Sequence, residues 1–225
     1  MAQIRRPHGQ ARSGRFGRFG SDRRGFSLVE IMVSFAIAAT LSAIAVAGMR
    51  RHLAFAKSAE ALQSVGTIGR TVAASHANWN TAQKPKLPNG KDAPKGNAGI
   101  RICADAAPVP AAFDAVKKRK YQPDNSPGHD YQTGDAAIGW RCLGYQNDQA
   151  QHYQLAYKIG APPISVRPPP NGSPPPNVPI TSRWSAYARG DLDGDGIQSW
   201  FILNGYIKND EIVIASGMFI QDQEE

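Results

Sequence analysis

The sequence is poor in the residues that build enzymes and metal centres. It has two cysteines in 225 residues, Cys103 and Cys142. Neither has a second Cys or a His at metal-ligand spacing, which excludes a zinc site of the usual kind. The five histidines, His8, His52, His76, His129 and His152, stand in no metal or nucleophile motif. No serine lies in a nucleophile-elbow context. No internal repeat is present. The expectation is a protein that is not an enzyme and has no small-molecule substrate.

Acidic residues are scarce at the start of the chain. Residues 1–25 hold seven arginines (Arg5, Arg6, Arg12, Arg15, Arg18, Arg23 and Arg24) against one acid, Asp22. This segment therefore contributes +6 of the formal net charge of +8. The basic balance belongs to the N-terminus, so it says little about an acidic partner for the rest of the chain. The segment is polar and Gly/Arg-rich, a composition expected to be disordered as synthesised. Between residues 12 and 20, Arg and Phe interleave with Gly as in RNA-binding tails, which makes nucleic-acid binding a distant alternative.

Residues 26–49 supply what the leader lacks. They form an almost continuous apolar run, broken by Ser27, Glu30, Ser34, Thr40, Ser42 and Gly48. As a helix the run would span roughly 36 Å, enough for a bilayer core of about 30 Å. It is longer than an ordinary secretory h-region and apolar on all faces, unlike a core helix. The preceding arginines keep the N-terminus cytoplasmic and send the chain beyond Met49 across the membrane. An exported domain meets an oxidising compartment, where Cys103 and Cys142 are expected to pair; two buried thiols are the other reading.

From Arg50 the pattern becomes amphipathic without a helix breaker. Leu53, Ala56, Ala59, Leu62, Val65, Ile68 and Val72 recur at steps of three and four, predicting that the helix continues over residues 50–80. Gly66 and Gly69 weaken it by about 1 kcal/mol each relative to Ala. Residues 81–225 read as a head: a loop at 84–99, a short helix at 110–120, and strands at 136–145, 153–159, 184–189, 197–203 and 211–216. Residues 162–179 contain nine prolines. They exclude a helix or central strand there and predict an exposed polyproline-like loop.

Gly25, Phe26, Ser27, Leu28, Val29, Glu30, Ile31, Met32 and Val33, behind a basic leader and before a membrane-length apolar run, closely resemble the N-terminal motif of type IV prepilins and type II secretion pseudopilins. The resemblance implies that a prepilin peptidase cuts between Gly25 and Phe26 and methylates the Phe26 amine. It implies passage through the inner membrane and an inner-membrane assembly platform. The end point is a homo-oligomeric helical filament: an extracellular pilus serving adhesion, motility or DNA uptake, or a periplasmic pseudopilus. The implied fold is α+β, a lollipop in which a long N-terminal helix packs on a small antiparallel sheet.

The chemistry of Glu30 points the same way. A carboxylate inside an apolar helix is expensive and marks function. Cleavage would create an ammonium at Phe26, and Glu30 of one subunit could pair with that amine on its neighbour, fixing their register. The chain departs from many type IVa pilins in having Ala39 and Ala47 where those carry Gly and Pro, leaving Gly48 as the weak point of the apolar helix.

A weaker resemblance to a subset of bacterial pilins lies in Gly190, Asp191, Leu192, Asp193, Gly194, Asp195 and Gly196 between two strands. Asp191, Asp193 and Asp195 alternate, with Gly196 sixth, as in the first half of a calcium loop. Ser199 would be a side-chain or water-mediated ligand. The twelfth position, Ile202, is not the Glu of an EF-hand, so calcium would need help from elsewhere, for example Asp210 or Glu211. The two readings are a Ca2+ site and an ion-free hairpin turn.

Overall fold

The computed structural model describes residues 25–80, 89, 102–167 and 169–223. The chain divides between Ala45 and Val46 into two units. Residues 1–24 of the leader and the loop at 84–99, apart from Asn89, lie outside the described residues.

One helix, α1 (Leu28–Asn80), belongs to both units. It starts where Ser27 accepts a hydrogen bond at Oγ from the Glu30 amide (3.2 Å). It runs through Gly48, Gly66 and Gly69 without interruption. In the first unit no described helix residue is buried, and the stretch Leu28–Val46 is long and apolar enough to cross a membrane.

In the second unit α1 acquires a buried stripe: Ser58, Ala61, Val65, Ile68, Val72, Ser75 and His76. The steps of three and four are those of a helix face turned to a core. Leu53, Ala56 and Ala59, expected in this stripe, are exposed. The sequence period gives a face; which turns of it are covered depends on how far the sheet reaches.

The sheet has six antiparallel strands: β1 (Ala106–Val109), β2 (Gln154–Ile159), β3 (Arg183–Gly190), β4 (Ser199–Lys208), β5 (Glu211–Ile214) and β6 (Phe219–Gln221). Their order is β1-β2-β3-β4-β5, and β6 also pairs with β4. Across the sheet Leu155 faces Ala188 and Phe201, Tyr157 faces Ala186 and Leu203, and Ile159 faces Trp184 and Gly205. In the first two rows a small residue stands between two large ones, and in the third Gly205 makes room for Trp184. A Cβ on Gly205 would stand 2.3 Å from the Trp184 ring. Gly69 plays the same part on the helix, since a Cβ there would come within 2.5 Å of Leu203 Cδ2. It is therefore the point where α1 approaches the sheet, a role different from the helix weakening expected of it.

Two expectations fail. Residues 136–145 are not a strand but contain a short helix, α2 (Gly139–Leu143), that starts at Gly139 (φ +79°) and ends at Gly144 (φ +67°). Its buried Trp140 and Leu143 are three residues apart, a helical step. Trp140 donates from Nε1 to the Ala107 carbonyl (2.8 Å) and meets Tyr131 edge-on at 5.0 Å. The predicted helix at 110–120 is reduced to one 3-10 turn, Phe113–Ala115, followed by Lys118 at positive φ. Between residues 162 and 179 the described positions hold neither helix nor strand. The segment is nonetheless tied to the sheet: the carbonyls of Pro175, Pro176 and Val178 accept from the Arg183 guanidinium.

A disulfide joins Cys103 to Cys142 on α2, with the Cα atoms 5.7 Å apart. It ties the segment leading into β1 to the aromatic cluster of Tyr131, Trp140 and Tyr145.

Candidate functional site

The N-terminal segment is built around one capped helix start. Gly25, Phe26 and Ser27 precede the helix and are exposed. Besides its side-chain cap, Ser27 accepts the Ile31 amide at its carbonyl (3.2 Å). Helix starts leave amides without intrahelical partners, and a Ser side chain satisfies one of them. The motif by itself assigns Ser27 no capping role; the signal that finds it is the S-x-x-E spacing of Ser27 and Glu30. The Glu30 carbonyl accepts from Ser34 Oγ (2.7 Å), and Glu30 itself is exposed in the first turn of α1. A Cβ at Gly25 would meet nothing within 4 Å among the described residues.

Within the second unit a polar contact of a different kind joins α1 to the chain just before β2. Glu60 accepts the His152 amide at Oε1 (2.8 Å) and pairs with His152 Nδ1 at Oε2 (2.8 Å). Ninety-two positions separate these residues. No local pattern predicts their pairing. Burial pushes the hydroxyl pKa of Tyr153 upward, and the nearby Glu60 charge adds to that.

The turn between β3 and β4 brings the three predicted aspartates together. One carboxylate oxygen from each of Asp191, Asp193 and Asp195 lies within 4.8 Å of the others. Asp191 is fully buried, while Asp193 and Asp195 are exposed. Asp193 Oδ1 accepts the Asp195 amide (3.0 Å), and Asp195 Oδ1 accepts the Ile197 amide (2.7 Å). Gly194 and Gly196 supply the positive φ values of the bend, +76° and +98°. Lys117 Nζ stands 3.2 Å from Asp191 Oδ2, a neighbour that no sequence spacing announces. Ser199 opens β4, and its hydroxyl donates to the Gly190 carbonyl (3.4 Å). Asp210 and Glu211 sit at the β4–β5 turn, at the far end of a ten-residue strand of about 30 Å, too distant to complete this site.

Residues 20–46 match the model of the prokaryotic N-terminal methylation motif, the type IV pilin/pseudopilin signal. No curated protein matches the chain, and no solved structure does. The chain thus carries the pilin-class signal on an N-terminal apolar helix, followed by a helix and an antiparallel sheet of six strands, an α+β pilin-like layout. The signal implies a membrane-anchored precursor, a prepilin peptidase substrate and a structural subunit that assembles into a filament.

Proposed function

We propose that this chain is the precursor of a type IV pilus-like filament subunit, cut between Gly25 and Phe26 and methylated at the Phe26 amine. In this reading residues 1–25 are the discarded leader and 26–49 the membrane and filament-core helix. Residues 50–80 continue that helix, and 81–225 form the exported head. The inner membrane and its assembly platform receive the subunit before it leaves as part of an extracellular filament that serves adhesion, motility or DNA uptake.

The observation that carries the proposal is the apolar surface of α1 inside the matched motif. Ten large apolar side chains between Leu28 and Val46 are 45–74% exposed. With roughly half to three quarters of each side chain exposed, burying the remainder would gain about 1–2 kcal/mol apiece, on the order of 10–20 kcal/mol together. A sum of that size is comparable to the whole stability of an ordinary domain, so leaving this surface in water is strongly unfavourable. It belongs first in lipid and then among copies of itself. Glu30 is the one charged residue in that stretch, and pairing with a neighbour's Phe26 ammonium compensates the desolvation of both groups.

Mass spectrometry of the native N-terminus tests this directly. The expected product begins at Phe26 and carries one added methyl group. A mature chain that retains the leader would overturn the reading and return nucleic-acid binding to consideration. Sheared extracellular filaments distinguish the two machines: a pilus subunit is found in them, whereas a pseudopilin of a type II secretion system stays in the envelope. The Gly/Asp turn between β3 and β4, similar to that of a subset of pilins, favours the pilus.

A further inference from the structure

The Pro-rich loop at 162–179 is a sequence feature that filament assembly does not use. Besides its bonds from Arg183, it is pinned beside β5, where the Asn171 carbonyl accepts the Ser216 amide (2.9 Å) and Ser216 Oγ (3.1 Å). Between loop and sheet lies a cavity of about 420 Å³. Four prolines, Ile164 and Val166 give it apolar walls, and Asn204 of β4 lines it from the sheet. Gly205 and Trp184 pack towards α1, so Asn204 and its cross-strand partner Ser185 face the other way. The Asn204 carbonyl is taken by the Ala215 amide (2.9 Å), which leaves the side chain as the polar part turned to the cavity. Asn204 is only 6% exposed, and its Oδ1 is buried with no hydrogen-bond partner among the described residues. Ser185 Oγ and, on the loop, Ser173 Oγ are buried and bare as well. Polar atoms buried without partners are costly to a fold, and three of them meet at this loop.

We infer that this cavity binds the acetamido group of an N-acetylated hexosamine. A carboxamide presents an acceptor and donors side by side, the complement of the N–H and C=O of a secondary amide. With the amide of the sugar on Asn204, its methyl group rests on the apolar walls, and Ser173 Oγ meets a ring hydroxyl. The ionisable residues lining the cavity are Arg167 and Arg183, with no acid. An acetylated sugar, neutral or acidic, is therefore favoured over the free amine, which carries positive charge. The volume lies near the lower end of small-molecule pockets, roughly 300–1,000 Å³, and suits one sugar ring. Proline fixes φ, so walls rich in it lose little freedom when a ligand enters. A sugar of about fifteen non-hydrogen atoms, at the efficiency of ordinary small ligands, binds with a Kd of roughly 1 mM. Cavity and contacts all lie in the head, so the site does not depend on entry into a filament. Within the proposed filament it would supply an adhesive contact.

The test is saturation-transfer difference NMR with N-acetylglucosamine on the full chain, held in a detergent that contains no sugar. Saturable transfer is expected, strongest at the acetyl methyl protons. Glucose lacks the acetamido group, glucosamine is cationic, and N-acetylglycinamide lacks the ring; each should bind about tenfold more weakly or worse. Asn204→Leu keeps about the same size but removes both hydrogen-bonding groups. It should weaken binding by about tenfold or more and, because the oxygen it removes is bare, should not lower Tm. Val166→Trp fills the cavity from the loop side and should abolish binding. Circular dichroism checks that each variant is folded. If Asn204→Leu misfolds, Val166→Trp decides alone. Absence of saturable transfer up to about 50 mM sugar, roughly fifty times the expected Kd, overturns the proposal and leaves the filament reading untouched. So does glucose binding equally well, or binding that the folded variants leave unchanged. N-acetylglycinamide binding as tightly as the sugar would assign the cavity to peptide amides and overturn it too.

Discussion

Removing the Cys103–Cys142 bridge should destabilise the head by an amount that can be worked out from the chain. The bridge spans a sequence separation of 39. Closing a loop of that length takes about 4 kcal/mol of conformational entropy out of the unfolded state at 25 °C. Little in the folded state offsets the loss of the bond. Cys103 is fully buried, and its carbonyl accepts from the Tyr157 hydroxyl (3.1 Å), a bond that survives substitution because it uses the backbone. For a unit of this size each kcal/mol moves Tm by about 2–4 °C, so a Cys103→Ala, Cys142→Ala variant should melt about 8–16 °C lower. The assay is thermal unfolding of the full chain in detergent, followed by near-ultraviolet circular dichroism. That signal reports the Tyr131, Trp140 and Tyr145 cluster around α2. Reductant should reproduce the shift in the parent and leave the variant unmoved. A fall of under about 2 °C would show that the unfolded chain is already constrained without the bond, and the entropic reasoning would fail.

Glycine substitutions should separate close approach from simple helix cost. Gly205→Ala drives a Cβ into the Trp184 ring and should cost about 1–3 kcal/mol by thermal unfolding. Gly66→Ala meets only Arg70 Nη1 at 3.8 Å and should instead gain up to about 1 kcal/mol; stabilisation by both changes would contradict the packing described. Burial, then the hydrogen bond to Asp130 and its charge, raise the Tyr121 hydroxyl to about 12 from an ordinary 10.0. Because the folded value lies above the unfolded one, its contribution is intact below about pH 10 and is lost as pH rises towards 12. Ultraviolet titration should show Tyr121 ionising late, and all seven tyrosines ionising together near 10 in the folded protein would refute this.

The legible parts of the fold are those whose signals are local. The apolar run, the amphipathic continuation and the Asp/Gly hairpin each announce themselves within a few residues, and α1, β3 and β4 lie close to where those signals put them. The strands β1 and β6, four and three residues long, are defined by their partners and carry no pattern of their own. The segment holding α2 misleads for a physical reason. Trp140 and Tyr145 suggest a strand, yet the positive φ values at Gly139 and Gly144 permit a single helical turn that buries Trp140 against Tyr131. Contacts between distant positions, such as Glu60 with His152 and Lys117 with Asp191, are written in no spacing at all. They arise only once the sheet is assembled.

Two electrostatic roles can be set against each other for Glu30, its place in the first helical turn and the proposed pairing with a neighbour's Phe26 amine, and their sizes tell them apart. Within one chain, an acid in the first turn of an exposed helix interacts with the macrodipole by about 0.3–1 kcal/mol. The amide of Glu30 is already satisfied by Ser27 Oγ, so the cap does not depend on its carboxylate. Between chains, breaking a buried ion pair costs about 3–5 kcal/mol because the partner charge is left bare. The first loss changes an equilibrium by less than about sixfold, and the second by more than about a hundredfold. Glu30→Gln, which keeps size and polarity, should therefore leave leader removal and the helix content of the detergent-solubilised subunit near normal while abolishing filaments. Ser27→Ala should do the reverse in kind, fraying the first turn by about 1 kcal/mol without removing any charge. Normal filaments from Glu30→Gln would leave the carboxylate only its intrachain role, and the register between subunits would then have to come from the packing of the apolar side chains alone.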